Sequence, residues 1–132
     1  MTRSTLGMTT GTAMAKTDPP MDRVRKLALK LPDVTQGATH GFPAFKVNDK
    51  TFAWFPKKKE VEDGSLGVRM SFVERDLRVQ AKPAAYYVTP HYQDYTSVLV
   101  RVWELSDAEL KELLASGHEF MTAAQTKPKK RR

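Results

Sequence analysis

Residues 41–55 read GFPAFKVNDKTFAWF, and this stretch decides the fold because it predicts an antiparallel hairpin. Apolar residues alternate with small or polar ones up to Val47 and again from Thr51, which is the period of a half-buried strand. The turn residues Asn48, Asp49 and Lys50 lie between the two runs, as in a tight hairpin. The pattern therefore predicts two paired strands at the centre of a sheet.

The length of the turn determines which residues of the hairpin share a face. With a two-residue turn at positions 48–49 or 49–50, odd positions of the first strand face the same way as even positions of the second. One face then carries the predicted core residues Phe45, Val47, Phe52 and Trp54. The other face carries Lys46, Thr51, Ala53 and Phe55. A three-residue loop would instead reverse the second strand.

The sequence around the hairpin predicts further strands and helices. A first helix is predicted to begin near residues 18–20, DPP, since Asp can cap a helix and proline fits its first turn. Its apolar stripe is Val24, Leu27, Ala28 and Leu31, and Pro32 ends it. Its basic residues are predicted to face solvent, with binding of an acidic partner as the alternative: Arg23, Arg25, Lys26 and Lys30. Strands are predicted at 34–40, 66–72 and 97–103, and a short helix at 73–81.

The last helix has the clearest start signal in the chain. Ser106 and Glu109 have the spacing of a capping box, and Leu105 and Leu110 have the spacing of a hydrophobic staple. Gly117 is predicted either to end this helix or to lie within it.

These elements predict an α+β two-layer sandwich, in which an antiparallel sheet has the N- and C-terminal helices packed on one face. The predicted organisation is a disordered leader at 1–17, a single domain at 18–122 and a disordered basic tail at 123–132. No run in the leader is apolar enough for a signal peptide or a membrane span, so we expect a cytoplasmic protein. The alternative is a transit peptide, since the leader has no acidic residue, although it has a single arginine. We also expect a monomer.

The composition narrows the possible chemistry. The chain has 132 residues and no cysteine, which excludes disulfides, thiolate metal sites and cysteine nucleophiles. The formal charge of +7 comes from the two ends, because residues 17–126 contain equal numbers of basic and acidic side chains. The net charge is therefore no sign that the folded body binds nucleic acid.

Several segments together resemble the MmcQ/YjbR family. They are LALKLPDV at 27–34, the hairpin with PAFKV and KTFA, LGVRMSF at 66–72, YYVTPHY at 86–92 and SVLVRVWEL at 97–105. The resemblance spans about residues 21–121 and implies a frataxin-like (CyaY-like) fold, and members of the family are commonly labelled DNA-binding proteins. It implies no catalytic residues. The acidic ridge of frataxins is absent from the first helix, which argues against iron handling.

The face opposite the predicted core is the first candidate binding surface. Alternation along the strands places cations and aromatic rings there: Lys46, Arg69, Arg101, Phe55 and Trp103. Cations that contact phosphates beside rings that stack on bases are typical of single-strand binding. The alternative is an ordinary half-exposed sheet face whose arginine stems cover apolar area.

Two basic segments add candidate phosphate contacts. The loop residues Lys57, Lys58 and Lys59 could clamp a phosphate, although the acids that follow them favour a solvated loop. The tail residues Lys127, Lys129, Lys130, Arg131 and Arg132 predict a weak, salt-dependent and sequence-independent contact with nucleic acid. The tail could equally serve solubility, localisation or contact with acidic lipid.

The aromatic stretch at 86–95, YYVTPHYQDY, is the second candidate site. Its candidate residues are His91, Tyr92 and Tyr87, which predict a protein-interaction or small-ligand module as the alternative function. His40, His91 and His118 lie on separate elements without ligand spacing, so the sequence predicts no metal site and no cofactor. We expect a non-enzymatic binding module, and an enzyme built around His91 ranks last.

Overall fold

The computed structural model describes residues 19–39 and 41–126, and side chains as far as residue 123. The helices are α1 (Pro20–Ala28), α2 (Phe72–Ala81) and α3 (Asp107–Thr126). The strands are β1 (Val34–Thr39), β2 (Phe42–Val47), β3 (Lys50–Trp54), β4 (Ser65–Arg69), β5 (Tyr86–Tyr87) and β6 (Ser97–Arg101). Short 3-10 helices occupy Pro90–Tyr92 and Val102–Glu104.

The six strands form one open antiparallel sheet in the order β1-β2-β3-β4-β6-β5. This arrangement of sheet and helices confirms the predicted α+β class. The predicted leader at 1–17 and the tail from residue 127 lie outside the described residues. Helix α3 continues to Thr126, so residues 123–126, predicted to belong to the tail, are helical. The predicted domain at 18–122 stays a prediction.

The hairpin has the predicted two-residue turn but not the predicted faces. Asn48 and Asp49 both have positive φ angles, 52° and 68°, as a tight hairpin turn requires. A bulge then follows, because Phe45 pairs with Ala53 whereas Lys46 pairs with Thr51. The extra residue, Phe52, stays in the core and shifts every later residue of β3 to the opposite face.

The bulge corrects the predicted faces at the end of the second strand. Trp54 was predicted in the core, but it lies on the face opposite the helices, where it pairs with Gly67. Ala53 and Phe55 were predicted on that outer face, but both are buried in the core. The prediction assumed that side chains alternate between the two faces without a break. It therefore assigned the wrong face to each residue of the second strand after the bulge.

The core lies between one face of the sheet and the helices α1 and α3. Side chains of β4, and of Met70 directly after it, pack in the core with leucines of α3. All five are fully buried: Leu66, Val68, Met70, Leu110 and Leu113. The strand prediction at 66–72 was too long, because Ser71 caps α2 by accepting from the Glu74 amide at 3.1 Å.

Arg23 on α1 is buried, although it was predicted to face solvent. Its side chain has no exposed surface and reaches the start of α3, where it pairs with Asp107 at 2.8 Å. It also donates to the carbonyls of Val102 and Leu105. This arginine therefore ties the first helix to the segment that precedes the last one.

The capping box at the start of α3 is present as predicted. The Ser106 hydroxyl accepts from the Glu109 amide at 3.1 Å, and the Glu109 carboxylate accepts from the Ser106 amide at 2.8 Å. The bond from the Ser106 amide lowers the pKa of the Glu109 carboxyl to about 2, with the Lys82 ammonium contributing next. Leu105 and Leu110, the predicted staple, are both buried.

Gly117 lies inside α3 and allows the helix to approach the sheet. A Cβ at this position would lie 2.7 Å from Cγ1 of Val68 and 3.3 Å from the carbonyl oxygen of Arg69. Glycine costs a helix interior about 1 kcal/mol relative to alanine, so its presence is explained by this close packing.

We expect Gly117→Ala to destabilise the protein by about 1–2 kcal/mol, because overpacking outweighs the gain in helix propensity. The measurement is the free energy of urea unfolding, compared in the wild-type and Val68→Ala backgrounds. Removing the Val68 methyl groups should make the same glycine substitution neutral or stabilising. If the two backgrounds respond alike, close packing on Val68 is not the reason for the glycine.

Across residues 19–39 and 41–126, no helix combines the length and apolarity needed to cross a membrane.

Candidate functional site

A cleft of about 690 Å³ opens on the sheet face opposite the core. Strands β3 and β4 form its base, and residues 88–96, which connect β5 to β6, form one wall. Its aromatic lining is Phe42, Trp54, Phe72, His91, Tyr92 and Tyr95. Its charged lining is Lys58, Arg69 and Asp94. The cleft therefore combines an aromatic interior with two cations and one acid.

The base of the cleft forms where Trp54 lies against Gly67. A Cβ on Gly67 would lie 2.8 Å from the indole ring, so the ring reaches β4 only because this residue has no side chain. The Tyr92 ring packs on the indole, with the two ring centroids 6.0 Å apart. Burial raises the pKa of Tyr92, which keeps its phenol neutral.

Two arginines hold the wall of the cleft in place. Arg69 donates from Nε to the Thr96 carbonyl at 3.0 Å and from Nη2 to the Thr96 hydroxyl at 2.9 Å. Arg75 of α2 donates from Nη1 to the Gln93 carbonyl at 2.8 Å. Because these bonds anchor the wall to β4 and α2, the cleft is formed without a ligand.

Arg69 differs from the other arginines of residues 19–39 and 41–126 because it has no ion pair within those ranges. The other five arginines each contact a carboxylate. Arg69 is half-buried, and this burial lowers its pKa, although a guanidinium stays charged in proteins. Its guanidinium carbon lies 6.0 Å from the Phe120 ring centroid, a contact that does not cancel the charge. A partly desolvated cation without an ion pair attracts an anion more strongly than a solvated one does.

The mouth of the cleft presents aromatic rings to solvent. Phe72 is 42% exposed and Tyr95 is 50% exposed. His91 packs edge-on against Tyr92, with ring centroids 4.6 Å apart, and Tyr95 contacts the same Tyr92 ring at 5.5 Å. These rings offer stacking surfaces at the entrance.

Arg101 and Tyr87, both predicted site residues, lie away from the cleft in a neutral cluster. Arg101 forms an ion pair with Glu62 at 2.7 Å and lies 4.3 Å from the Tyr87 ring centroid. The pKa of Arg101 is raised chiefly by its bond to Glu62, and the pKa of Glu62 is lowered by the same bond. The Tyr87 hydroxyl is also bonded, to the Glu62 amide and the Ser65 hydroxyl. This cluster anchors the loop after β3.

The remaining predicted residues are dispersed. Lys46 pairs with Thr51, a cleft residue, and so lies on the same face without lining the cleft. Phe55 is buried in the core, so it offers no surface for binding. Trp103 belongs to a 3-10 helix rather than to the predicted strand, and its ring borders Gly64.

The two basic segments contribute unequally to the described surface. Among Lys57, Lys58 and Lys59, only Lys58 lines the cleft, and the other two lysines are exposed beside it. The five basic residues of the tail, from Lys127 to Arg132, lie outside the described residues.

The structure therefore combines parts of the two predicted sites. Arg69 from the open sheet face and His91 and Tyr92 from the aromatic stretch line one cleft. Sequence reasoning missed Trp54 and Phe72, because the first was predicted in the core and the second at the end of a strand. The signal that could have found Trp54 is Gly67, a small residue on the strand that β3 pairs with.

The described ranges contain no group of three or more acidic or histidine side chains placed to hold a metal ion. His118, a further predicted candidate for chemistry, bonds the Pro32 carbonyl through Nε2 at 2.7 Å and packs edge-on against Phe52. His118 therefore has structural partners in the fold. His40, the third histidine, lies outside the described residues.

Comparison with known proteins gives one match. The sequence model of a family described as YjbR matches residues 29–119, which is more than half of the chain. The matched segment contains every strand of the sheet and the residues that line the cleft. No curated protein and no solved structure matches the chain.

Proposed function

The chain belongs to the YjbR family, and from this premise we propose that it is a non-enzymatic module that binds single-stranded nucleic acid in the cleft. The observation that carries the proposal is Arg69, a half-buried cation with no acid partner in the described residues, set among aromatic rings. Single-strand binding surfaces combine these two features, cations for phosphates and rings for bases.

The cleft residues would divide the work of binding by their chemistry. Arg69 and Lys58 would contact phosphates, because they are the basic residues of the lining. Tyr95 and Phe72 would stack on bases, since their rings are partly exposed at the mouth. Trp54 and Tyr92 would support these rings from below. Stacking contributes about 1–3 kcal/mol per base and tolerates any sequence.

Electrostatic attraction to the folded body is expected to be weak. Residues 17–126 have no net formal charge, so long-range attraction would come from the basic tail. We propose that the tail adds phosphate contacts whose strength falls steeply with salt, whereas stacking in the cleft persists. This division would let the tail increase the rate of encounter and the cleft hold the strand. The expected monomeric state and cytoplasmic location stay predictions.

We expect Arg69→Ala to weaken binding of a labelled single-stranded DNA about tenfold or more, because a charge-assisted contact to phosphate is lost. The measurement is fluorescence anisotropy with the full chain at two salt concentrations. Arg25→Ala is the matched control, since it removes the same charge from a partly exposed side chain on α1, outside the cleft. Thermal unfolding of both variants shows whether losing the Arg69 bonds to Thr96 lowers the stability of the fold.

Three further variants separate the cleft from the tail. Tyr95→Ala should weaken binding at both salt concentrations, whereas Leu77→Ala, which removes an exposed apolar side chain outside the cleft, should not. Replacing the five basic tail residues by serine should lower affinity mainly at low salt. If that replacement abolishes binding and Arg69→Ala changes nothing, the cleft is not the nucleic-acid site.

A small-ligand module is the second candidate, because three aromatic residues of the 86–95 stretch line the cleft: His91, Tyr92 and Tyr95. A volume of about 690 Å³ lies in the range typical of pockets for single small ligands. A metabolite screen in which ligands stabilise the protein, but no oligonucleotide binds through Arg69, would favour this candidate over the first.

A further inference from the structure

The hydrogen bonds of Arg69 leave part of its guanidinium available to a ligand. A guanidinium has one N–H group on Nε and two on each of Nη1 and Nη2. In Arg69, Nε and Nη2 each donate one hydrogen bond to Thr96. Both N–H groups of Nη1 and one of Nη2 have no acceptor among the described residues. The Thr96 hydroxyl accepts from Arg69 and so retains its own hydrogen for donation. One anion at this point could receive several hydrogen bonds.

The cleft itself encloses only a short part of a ligand. Its volume of about 690 Å³ suits one small molecule, whereas grooves that follow a single strand usually cover about 4–16 nucleotides. Two cations line it, and Asp94 lies on the same lining and would repel further phosphates. A strand passing through would need more cations than the lining provides.

Building on the proposed function, we infer that the cleft takes one nucleotide unit with a terminal phosphate on Arg69, from a strand end or a free nucleotide. The base would stack on the rings at the mouth, and the phosphate would lie between Arg69 and the Thr96 hydroxyl. A terminal phosphate carries a charge of about −1.5 to −2, against −1 for an internal phosphodiester. A single guanidinium without an acid partner in the described residues therefore favours an end over the middle of a strand.

The test uses the full chain and four probes of one base composition. They are a linear oligonucleotide phosphorylated at both ends, the same oligonucleotide with hydroxyl ends, a circular single strand and a free nucleoside monophosphate. Isothermal titration at a salt concentration that suppresses tail binding gives each affinity and stoichiometry. The indole N–H resonance of Trp54 reports whether a probe occupies the cleft.

We expect the phosphorylated linear strand to bind about tenfold more tightly than the circle or the hydroxyl-ended strand. The free monophosphate should compete with it for the cleft. Arg69→Ala should remove the preference for phosphorylated ends, and Arg25→Ala should leave it intact. If Arg69→Ala folds poorly, Arg69→Lys is the substitute, because it keeps the charge but loses the paired N–H donors of the guanidinium. It should reduce the preference for phosphorylated ends without abolishing it.

The outcomes distinguish the inference from the proposed function. A circle that binds as tightly as the phosphorylated linear strand, through Arg69, overturns the inference and supports the proposed function. If the free monophosphate binds and no oligonucleotide does, the inferred nucleotide site is supported and its ligand is a free nucleotide. The same result rejects single-strand binding. If no probe depends on Arg69, both proposals are wrong.

Discussion

Replacing Arg23 by methionine should destabilise the protein by about 3 kcal/mol, the largest effect expected of any substitution proposed for this chain. Methionine fills a similar volume but cannot donate a hydrogen bond. The carbonyls of Val102 and Leu105 would each lose a donor that now lies at 3.0 Å and 2.8 Å, and Asp107 would lose its partner. Removing one member of a buried ion pair costs about 3–5 kcal/mol, and the partial exposure of Asp107 places this pair at the lower end.

The matched control for this prediction lies two residues along the same helix. The Arg25 side chain is 41% exposed and pairs with Asp22 in the adjacent turn, so Arg25→Met should cost less than about 1 kcal/mol. Chemical denaturation of both variants gives the two free energies of unfolding. Arg23→Lys should fall between them, because an ammonium can reach one acceptor but not all three. Equal losses for Arg23→Met and Arg25→Met would show that the buried bonds contribute little.

Arg23 also shows where sequence reasoning stops. The period of the apolar residues predicted α1 and its buried stripe, because these depend on spacing along one helix. Arg23 is next to that stripe, and its burial depends on acceptors near residues 102–107 that the chain brings together only on folding. A local pattern predicts the position of a residue around its helix axis. It does not show whether the fold brings a distant carboxylate to that position.

The hairpin marks a similar limit for the sheet. Its position, its turn and its first strand were predicted from alternation and from the Asn-Asp pair, which are local properties. The bulge at Phe52 was not predicted, because the register of the ladder depends on how β3 also pairs with β4. Its consequence is large, since it places Trp54 in the cleft and buries Phe55.

The candidate site was predicted in pieces, not as a whole. Arg69, His91 and Tyr92 were each selected from their chemistry and local context, yet they were assigned to two separate surfaces. They meet because residues 88–96 turn back over the open face, where Arg69 and Arg75 bind their carbonyls. Arg101 had the same sequence signature as Arg69, but Glu62 neutralises it. Only tertiary contacts distinguish an arginine that has an ion pair from one that does not.

Gly67→Ala should impair both the fold and the cleft, because the added methyl group would occupy the position of the Trp54 ring. Three ring atoms, Cζ2, Cε2 and Cη2, lie 2.8 Å, 2.9 Å and 2.9 Å from the expected Cβ position. The ring cannot move outward freely, since the Tyr92 ring packs against it. We expect a loss of about 1–3 kcal/mol in stability. Weaker ligand binding, followed by the Trp54 indole resonance, should accompany it.

Gly37→Ala is the control, because it also places a methyl group on a strand glycine of the same sheet. There the Cβ would meet only the flexible Lys46 side chain, at 3.7 Å, so stability should stay constant or rise by about 0.5–1 kcal/mol. Trp54→Phe should relieve the clash, so Gly67→Ala should cost less in that background than in the wild type. If it costs the same in both, the indole does not set the requirement for glycine. A smaller cost in the Trp54→Phe background would mean that the base of the cleft depends on one pair of residues, a glycine and the ring that covers it.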